Sequence, residues 1–218
     1  TLIELAARIG FQVWLAPLAP NGKALHVQGF LRAFEKAAIR NATQLAALAR
    51  SGVALVGLDP AMTLTYRQEY LKVTGLADVP KVALPQEWLL HALPEAGADA
   101  GAADLSAAYR LLPHCTEKTN APDSGKQWAQ VFARRGLRLT VQATGCCGMS
   151  GTYGHEARNL QTSKTIYAQS WAAHVDAPQA QGEALATGYS CRSQVKRMSA
   201  RQVRHPLQAL LDHVRDGL

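Results

Sequence analysis

The residues of this chain best suited to chemistry are its four cysteines, Cys115, Cys146, Cys147 and Cys191. Two of them are adjacent, and this pair lies in the glycine-rich run 145–154. Adjacent cysteines do not form an easy disulfide, because the ring that the bond would close is far from normal disulfide geometry. Thiolates are also the protein ligands of zinc and of iron–sulfur clusters. The pair therefore indicates a metal centre rather than a disulfide.

Each cysteine segment follows a predicted strand. Cys115 follows 108–112, the adjacent pair follows 137–143, and Cys191 follows 183–187. These strands are mostly unbroken apolar runs, which is typical of parallel strands covered on both faces. The carboxyl ends of such strands share one edge of the sheet, so we expect the four thiols to meet there.

Four thiolates are enough for a [4Fe–4S] cluster, a [2Fe–2S] cluster or tetrahedral zinc, and the sequence leaves these options open. Two other interpretations compete with a metal centre. Free cysteines are often small buried hydrophobic residues. A thiol-redox pair is also conceivable, although the strained geometry of adjacent cysteines counts against it.

Four residues near the cysteines are predicted to help bind the cofactor. Gly145 and Gly148 let the backbone approach the sulfurs and offer N–H groups to them. Arg192 favours the deprotonated thiols, and His155 is a candidate replacement ligand or proton carrier. Glu117 and the lysine after it are expected to form a surface pair.

The pattern around these motifs predicts an α/β fold, since short β-rich runs alternate with helical ones. The remaining predicted strands are 11–15, 53–58 and 81–84. The predicted helices are 1–10, 30–50, 125–135, 159–174 and 206–214, the last with proline in its first turn.

A short internal repeat divides the chain into two predicted lobes. Residues 15–19 share their pattern with 111–115, and 55–61 share theirs with 185–191. In both cases the first copy has alanine where the second has cysteine, which indicates a duplicated unit whose first copy lost its site.

The predicted fold class is therefore two pseudo-repeated lobes, each a small, mainly parallel sheet flanked by helices. The first lobe covers 1–92 and the second, with the four-cysteine site, covers 105–218. The stretch 92–104, rich in alanine, glycine and acidic residues, is the predicted linker.

Composition restricts the function further. The 218 residues are 48% hydrophobic, yet their apolar runs are too short to cross a bilayer. The net charge is +7, but aromatic residues are few and are not interleaved with basic ones, so we expect no nucleic-acid partner. The basic segment 192–204 is either a solvated helix face or a docking surface for an acidic partner or an anionic membrane.

The start of the chain and its cysteines suggest a location. The chain opens on Thr1 and its first ten residues are predicted to be helical, so we expect a fragment of a longer polypeptide. Reduced thiols without a secretory signal predict a cytoplasmic protein, with peripheral association at the inner face of the membrane as an open alternative.

The cysteine motifs resemble a known family. The run Cys115-Thr116-Glu117-Lys118, the run 145–154, Ser190-Cys191 and the run 204–207 resemble the cysteine-rich CCG domain. The chain is most similar to the C-terminal region of bacterial FAD-linked oxidases with a 4Fe–4S domain, which are similar to D-lactate and D-2-hydroxyglutarate dehydrogenases. The segments 20–23, 26–29 and 57–62 extend this resemblance over nearly the whole chain.

The resemblance implies a role in electron transfer. FAD, bound in another part of the polypeptide, would take electrons from a D-2-hydroxy acid, and the four cysteines would hold an iron–sulfur cluster that passes them toward an acceptor such as a quinone. The implied partners are N-terminal flavin and ferredoxin-like domains of the same chain. One departure is visible: the family's last motif is commonly Cys-x-x-Cys, and Gly188 occupies its first position here. A zinc-binding structural or docking module is the alternative function.

Overall fold

A computed structural model describes residues 1–76, 78–94, 108–176 and 182–216 of the chain. The α-helices are α1 (Leu2–Arg8), α2 (Lys23–Val27), α3 (Leu31–Ala49), α4 (Pro60–Arg67), α5 (Pro85–Ala92), α6 (Cys115–Asn120), α7 (Ser124–Ala133), α8 (Leu160–Ser170), α9 (Ala172–Val175), α10 (Tyr189–Ser199) and α11 (Pro206–Asp216). The strands are β1 (Ala108–Leu112), β2 (Arg138–Val141) and β3 (Glu183–Ala186). Short 3₁₀ helices cover Tyr70–Lys72, Tyr153–His155 and Ala157–Asn159.

The described strands form one parallel sheet in the order β2-β1-β3. Leu111 of β1 pairs with Val141 on one side and with Leu185 on the other. Since both pairings are parallel, the loops that follow β1, β2 and β3 leave the sheet at the same edge. This confirms the prediction of an α/β fold with a parallel sheet.

Both faces of the central strand β1 are covered, as the apolar runs predict, whereas most residues of the edge strand β2 are exposed. Leu111 lies in a core shared with Leu5 of α1, Leu89 of α5 and Trp128 of α7. Its neighbour Leu112 lies in the opposite core, which also holds Trp171 and two of the cysteines. Successive strand residues point to opposite faces, so a single step along β1 passes from one core to the other.

Three of the predicted strands are wrong. Residues 11–15 have no regular secondary structure. Residues 53–58 and 81–84 contribute only an isolated parallel bridge between Val56 and Ala83. Glycine and proline explain this shortness: the Ser51–Gly52 turn precedes the first run, and prolines start α4 and α5 directly after the two runs. The structure therefore does not show two pseudo-repeated lobes, each with its own sheet.

The predicted helices are confirmed. The helices predicted at 1–10, 30–50, 125–135 and 206–214 correspond to α1, α3, α7 and α11. The one predicted at 159–174 is divided into α8 and α9 at Trp171. Among the described helices, α2, α4, α5, α6 and α10 were not predicted as such. Most of the predicted linker 92–104 lies outside the described residues.

The segment that follows α1 has no regular secondary structure and exposes apolar side chains. Leu18 is fully exposed, and Trp14 and Leu15 are about as open, at 81% and 78%. Side chains of α3 hold the backbone of this segment: Gln44 donates a hydrogen bond to the carbonyl oxygen of Pro17, and Asn41 donates to the carbonyl oxygens of residues 19 and 20. Among the described helices, every one is too short or too polar to cross a lipid bilayer.

Candidate metal centre

Three loops at one edge of the sheet carry the cysteines. Cys115 is the first residue of α6, which begins after β1. Cys146 and Cys147 lie in the loop after β2, and Cys191 lies in the first turn of α10, after β3. The parallel topology thus delivers all the cysteine segments to the same edge, although 76 positions separate the first from the last.

The four thiols influence one another in series. The pKa of Cys115 responds to Cys146, that of Cys146 to Cys115 and Cys147, and that of Cys147 to Cys146 and Cys191. All four are free thiols; Cys147 and Cys191 are buried, and the other two are half-buried. In the described part of the chain, no three His, Cys, Asp or Glu side chains are arranged to hold one metal ion. The thiols are gathered in a row, and their role as metal ligands stays a prediction.

The neighbouring thiols shift the pKa of three members of the row. Hydrogen bonds from Cys115 and then from Cys147, together with the N–H of Gly148, lower the pKa of Cys146 despite its partial burial. The same contacts raise the pKa of Cys115 and Cys147, because each of them donates its proton toward that thiolate. The arrangement favours one thiolate held by its neighbours, which is the form that attacks electrophiles and binds metals.

The glycines of the loop permit its tight path. Gly148 has φ +86°, and a side chain there would clash with the carbonyl oxygen of Ser163. Its N–H donates to the Sγ of Cys146 at 3.3 Å, and its carbonyl accepts from the hydroxyl of Ser163 at 2.8 Å. Gly145 donates its N–H to Ser170 and accepts a hydrogen bond from the indole of Trp171. Gly148 thus lies directly at the thiols, whereas Gly145 anchors the start of the loop to α8.

His114 closes the site on the side of β1. Its Nδ1 accepts the N–H of Thr116 at 3.1 Å, so the ring carries its proton on Nε2 and donates toward the hydroxyl of Ser190 at 3.3 Å. Burial lowers the pKa of His114, which keeps the ring neutral. A side chain at Gly188 would clash with this ring. In the family that the sequence resembles, this position is commonly a cysteine, but here the imidazole of His114 occupies the space that its side chain would need.

The other two predicted binding residues lie less directly at the thiols. The guanidinium of Arg192 donates to the carbonyl oxygens of Ala186 and Thr187, at 3.0 and 2.8 Å, and so ties α10 to the end of β3. Its partial burial lowers its pKa. His155 is exposed in the 3₁₀ helix after the loop. Roles for both in binding a cofactor remain predictions.

Asp59 is a site residue that the sequence analysis missed. Its Oδ1 caps its own helix α4 by accepting the N–H groups of Ala61 and Met62, and its Oδ2 accepts the N–H of Tyr189 at 2.9 Å. Helix α10 has glycine at its own N-cap, so the first half of the chain supplies the cap for the helix that carries Cys191. The Asp-Pro pair before α4 is a helix-start signal that could have revealed the first of these roles.

Glu117 is the second residue that the structure reassigns. The prediction of a surface pair is wrong, because Glu117 has no exposed surface and the adjacent Lys118 donates to the carbonyl oxygen of Thr144. Burial raises the pKa of this carboxyl group against the effect of its hydrogen bonds. Nothing in the local sequence indicated burial.

Comparisons with known proteins give the chain its relatives. It is 66% identical over 211 residues to the D-2-hydroxyglutarate dehydrogenase of Pseudomonas putida, covering 97% of this chain and 20% of that protein. It is 45% identical over 215 residues to the Escherichia coli protein of the same name, covering 98% and 21%. The corresponding Haemophilus influenzae protein is 42% identical over 217 residues, covering 96% and 21%.

No protein-family model and no solved structure matches the chain, and these comparisons do not show the assignment to the CCG family. The three relatives nevertheless agree in name and in the extent of the match. The chain is therefore homologous to a segment, about a fifth of the full length, of bacterial proteins named D-2-hydroxyglutarate dehydrogenase.

Proposed function

We propose that this chain is the iron–sulfur electron-transfer region of an FAD-linked D-2-hydroxy acid dehydrogenase of the D-2-hydroxyglutarate type. The observation that carries the proposal is the placement of four free thiols on three loops that leave the sheet at one edge. The names of the homologous proteins supply the substrate, and the remaining four-fifths of such a polypeptide would bind FAD and contain the ferredoxin-like domain.

The donor set fits a metal centre by its chemistry. The N–H of Gly148 donates to the Sγ of Cys146 at 3.3 Å, and the backbone N–H groups of Thr116 and Met149 favour the thiolate forms of Cys115 and Cys147. Such hydrogen bonds stabilise negative charge on sulfur and tune the potential of a bound centre.

All four cysteines would hold the group, which when bound would supply a one-electron carrier between the flavin and an acceptor such as a quinone. The chain's own contribution is to bury one end of the thiol row, to leave the other end open and to place positive charge around it. Cys115 and Cys146 form the open end. Lys118 lies beside it, on the carbonyl oxygen of Thr144. This placement supports electron entry or exit at that end.

The duplication and the two lobes, 1–92 and 105–218, belong to the same proposal. A parallel bridge in each half supports it: Val56 pairs with Ala83 before α5, and Leu185 pairs with Arg204 before α11. Both helices begin with proline. A cytoplasmic location, with the basic helix α10 facing the membrane or an acidic partner, completes the proposed setting.

A test is the anaerobic analysis of the full-length polypeptide for iron, acid-labile sulfide and zinc. The parent should contain one cluster more than a variant with all four cysteines of this region changed to serine. Substrate should reduce the flavin in both proteins, and reoxidation by the acceptor should be slow only in the variant. Stoichiometric zinc in this region, with unchanged reoxidation, would instead establish the structural module.

A further inference from the structure

The buried carboxylate of Glu117 is the centre of a polar network in an otherwise apolar region. Its Oε1 accepts the hydroxyl of Ser124, the indole N–H of Trp128 at 3.4 Å and the amide of Gln86 at 3.4 Å. Its Oε2 accepts the hydroxyl of Thr187. Every one of these partners is a neutral donor, and each is almost completely buried.

The contact on Oε2 joins two of the loops that carry cysteines. The N–H of His114 donates to the Oγ1 of Thr187 at 3.0 Å, and the Thr187 hydroxyl donates in turn to Glu117. His114 immediately precedes Cys115, and Thr187 is four positions before Cys191. This chain of hydrogen bonds therefore fixes the loop after β1 against the loop after β3.

The contacts on Oε1 hold the carboxylate in place from the other side. Gln86 of α5 donates to the Oγ of Ser124 at 2.7 Å, and this hydroxyl donates to Glu117. Because Ser124 and Trp128 both belong to α7, the carboxylate is fixed to two helices besides its own. Its position is thus set by the core of the domain and not by solvent.

The energetics argue that such a residue is kept for placement. A carboxyl group buried without a cation is costly, because burial removes its hydration and raises its pKa, and neutral hydrogen bonds offset this only in part. An apolar side chain of similar size would be cheaper for stability alone. A hydrogen-bonded network, in contrast, restricts the arrangement of the groups that it joins, and this one does so although the Oε1 of Gln86 has no partner in it.

We propose that Glu117 is a positioning residue that sets Cys115 relative to Cys191, so that the thiols at the two ends of the row serve one ligand set. The proposal rests on the proposed function only for the identity of the group bound. It predicts that breaking the hydrogen bond between Thr187 and Glu117 lowers the affinity for metal more than it lowers the stability of the fold.

The experiment compares Thr187→Val with Thr65→Val in the full-length protein. Both changes replace a buried hydroxyl by a methyl group, but the hydroxyl of Thr65 donates only to Ala61 of its own helix. Glu117→Gln is the companion variant, because its amide keeps the shape and loses one acceptor position. Each protein is reduced, stripped of metal and titrated with Cd²⁺, and the thiolate-to-cadmium absorbance is followed. A variant with all four cysteines changed to serine gives the background from other sites.

Thr187→Val and Glu117→Gln should weaken Cd²⁺ binding at this site by about 10- to 100-fold, the usual effect of losing a residue that orients metal ligands. Thr65→Val should bind as the parent does while losing a similar amount of thermal stability. The double variant should bind Cd²⁺ more weakly than either single variant. Its loss of affinity relative to the parent should nevertheless be smaller than the product of the two single losses, since both changes act through one bond.

Parent-like Cd²⁺ affinity in Thr187→Val would overturn the proposal and make the network purely structural; this variant decides the matter even if Glu117→Gln does not fold. A parent without iron and sulfide, but with Cd²⁺ binding that Thr187→Val weakens, would refute electron transfer and leave the positioning role intact. A parent whose four thiols bind no Cd²⁺ would refute both.

Discussion

The shared cap at Asp59 gives a prediction that can be worked through in numbers. Asp59→Ala removes the cap of α4 and the bond to Tyr189 together. Loss of an N-cap costs about 1 kcal/mol, and loss of a hydrogen bond to a charged group costs about 1.5 kcal/mol. We therefore expect about 2.5 kcal/mol in total, divided between the first turns of α4 and α10.

Asp59→Asn separates the two contributions. Asparagine caps helices as well as aspartate does, so α4 should be unaffected. Its amide NH₂ would face the N–H of Tyr189, two donors in opposition, so the first turn of α10 should still lose about 1 to 1.5 kcal/mol.

Amide hydrogen exchange of the full-length protein, followed by mass spectrometry of peptides, measures both ends. A loss of 1 kcal/mol accelerates exchange about 5-fold. Asp59→Asn should therefore accelerate it by that factor or more in α10 alone, and Asp59→Ala should do so in both helices. Asp123→Asn is the matched control, because Asp123 occupies the N-cap of α7 without a side-chain cap bond. If α10 exchanges like the parent in both Asp59 variants, the shared cap has no energetic role.

Three further predictions concern the loop, the core and the thiols. In the full-length protein, Cys147→Ser should leave the reduction of the flavin by substrate intact and should make its reoxidation by the acceptor slower in stopped-flow traces. The reason is that serine preserves the volume of cysteine but is a poor metal ligand. Unchanged reoxidation would contradict an electron-transfer role. Gly148→Ala should cost at least about 2 kcal/mol in thermal unfolding, since φ +86° is strained for alanine and its Cβ would clash with a carbonyl oxygen. Gly151→Ala, at φ +67° and with only Val27 at contact distance, 4.0 Å, should cost about 1 kcal/mol, and equal costs for the two variants would contradict the clash. Burial lowers the pKa of His205 to about 3, whereas in the unfolded chain it is about 6.5, so between these values only the unfolded chain binds the proton and stability falls as pH falls. His205→Asn should remove about 2 kcal/mol of this loss between pH 7 and pH 5. Melting temperatures of parent and variant that fall in parallel over this range would refute the role of His205.

The sheet and the cysteine loops could be predicted because their signals are local. Ala108–Leu112 is an apolar run that forms a strand with the predicted bounds, and the runs before the other cysteines differ from prediction by only a few residues at their ends. Parallel pairing then places the loops at one edge whatever the detailed packing is. Topology alone therefore brings the cysteine-bearing loops to one edge of the sheet.

The errors in the first half also have a physical origin. Phe11 to Leu15 has the composition of a strand, but strand propensity mainly measures how well a side chain fits a sheet that exists around it. The described part of the first half offers no neighbouring strand to pair with, and Pro17 and Pro20 follow closely. The segment consequently forms no strand.

Glu117 and Asp59 could not be assigned from the sequence for a different reason. Thr187 and Gln86, which bind the Glu117 carboxylate, are 70 and 31 positions away, and Tyr189 is 130 positions from Asp59. A run such as Cys-Thr-Glu-Lys reads as polar and exposed when its distant partners are unknown. Buried polar networks depend on tertiary contacts, so local patterns do not reveal them.

The segment after α1 has a practical consequence for work on this region by itself. Asn41 and Gln44 hold its backbone at residues 17, 19 and 20, while Trp14, Leu15 and Leu18 face solvent. An uncharged stretch that exposes several large apolar side chains is the kind of surface that promotes aggregation. Preparations of the isolated region should therefore gain solubility from polar substitutions at these three positions, which leave both the α3 anchors and the cysteine edge untouched.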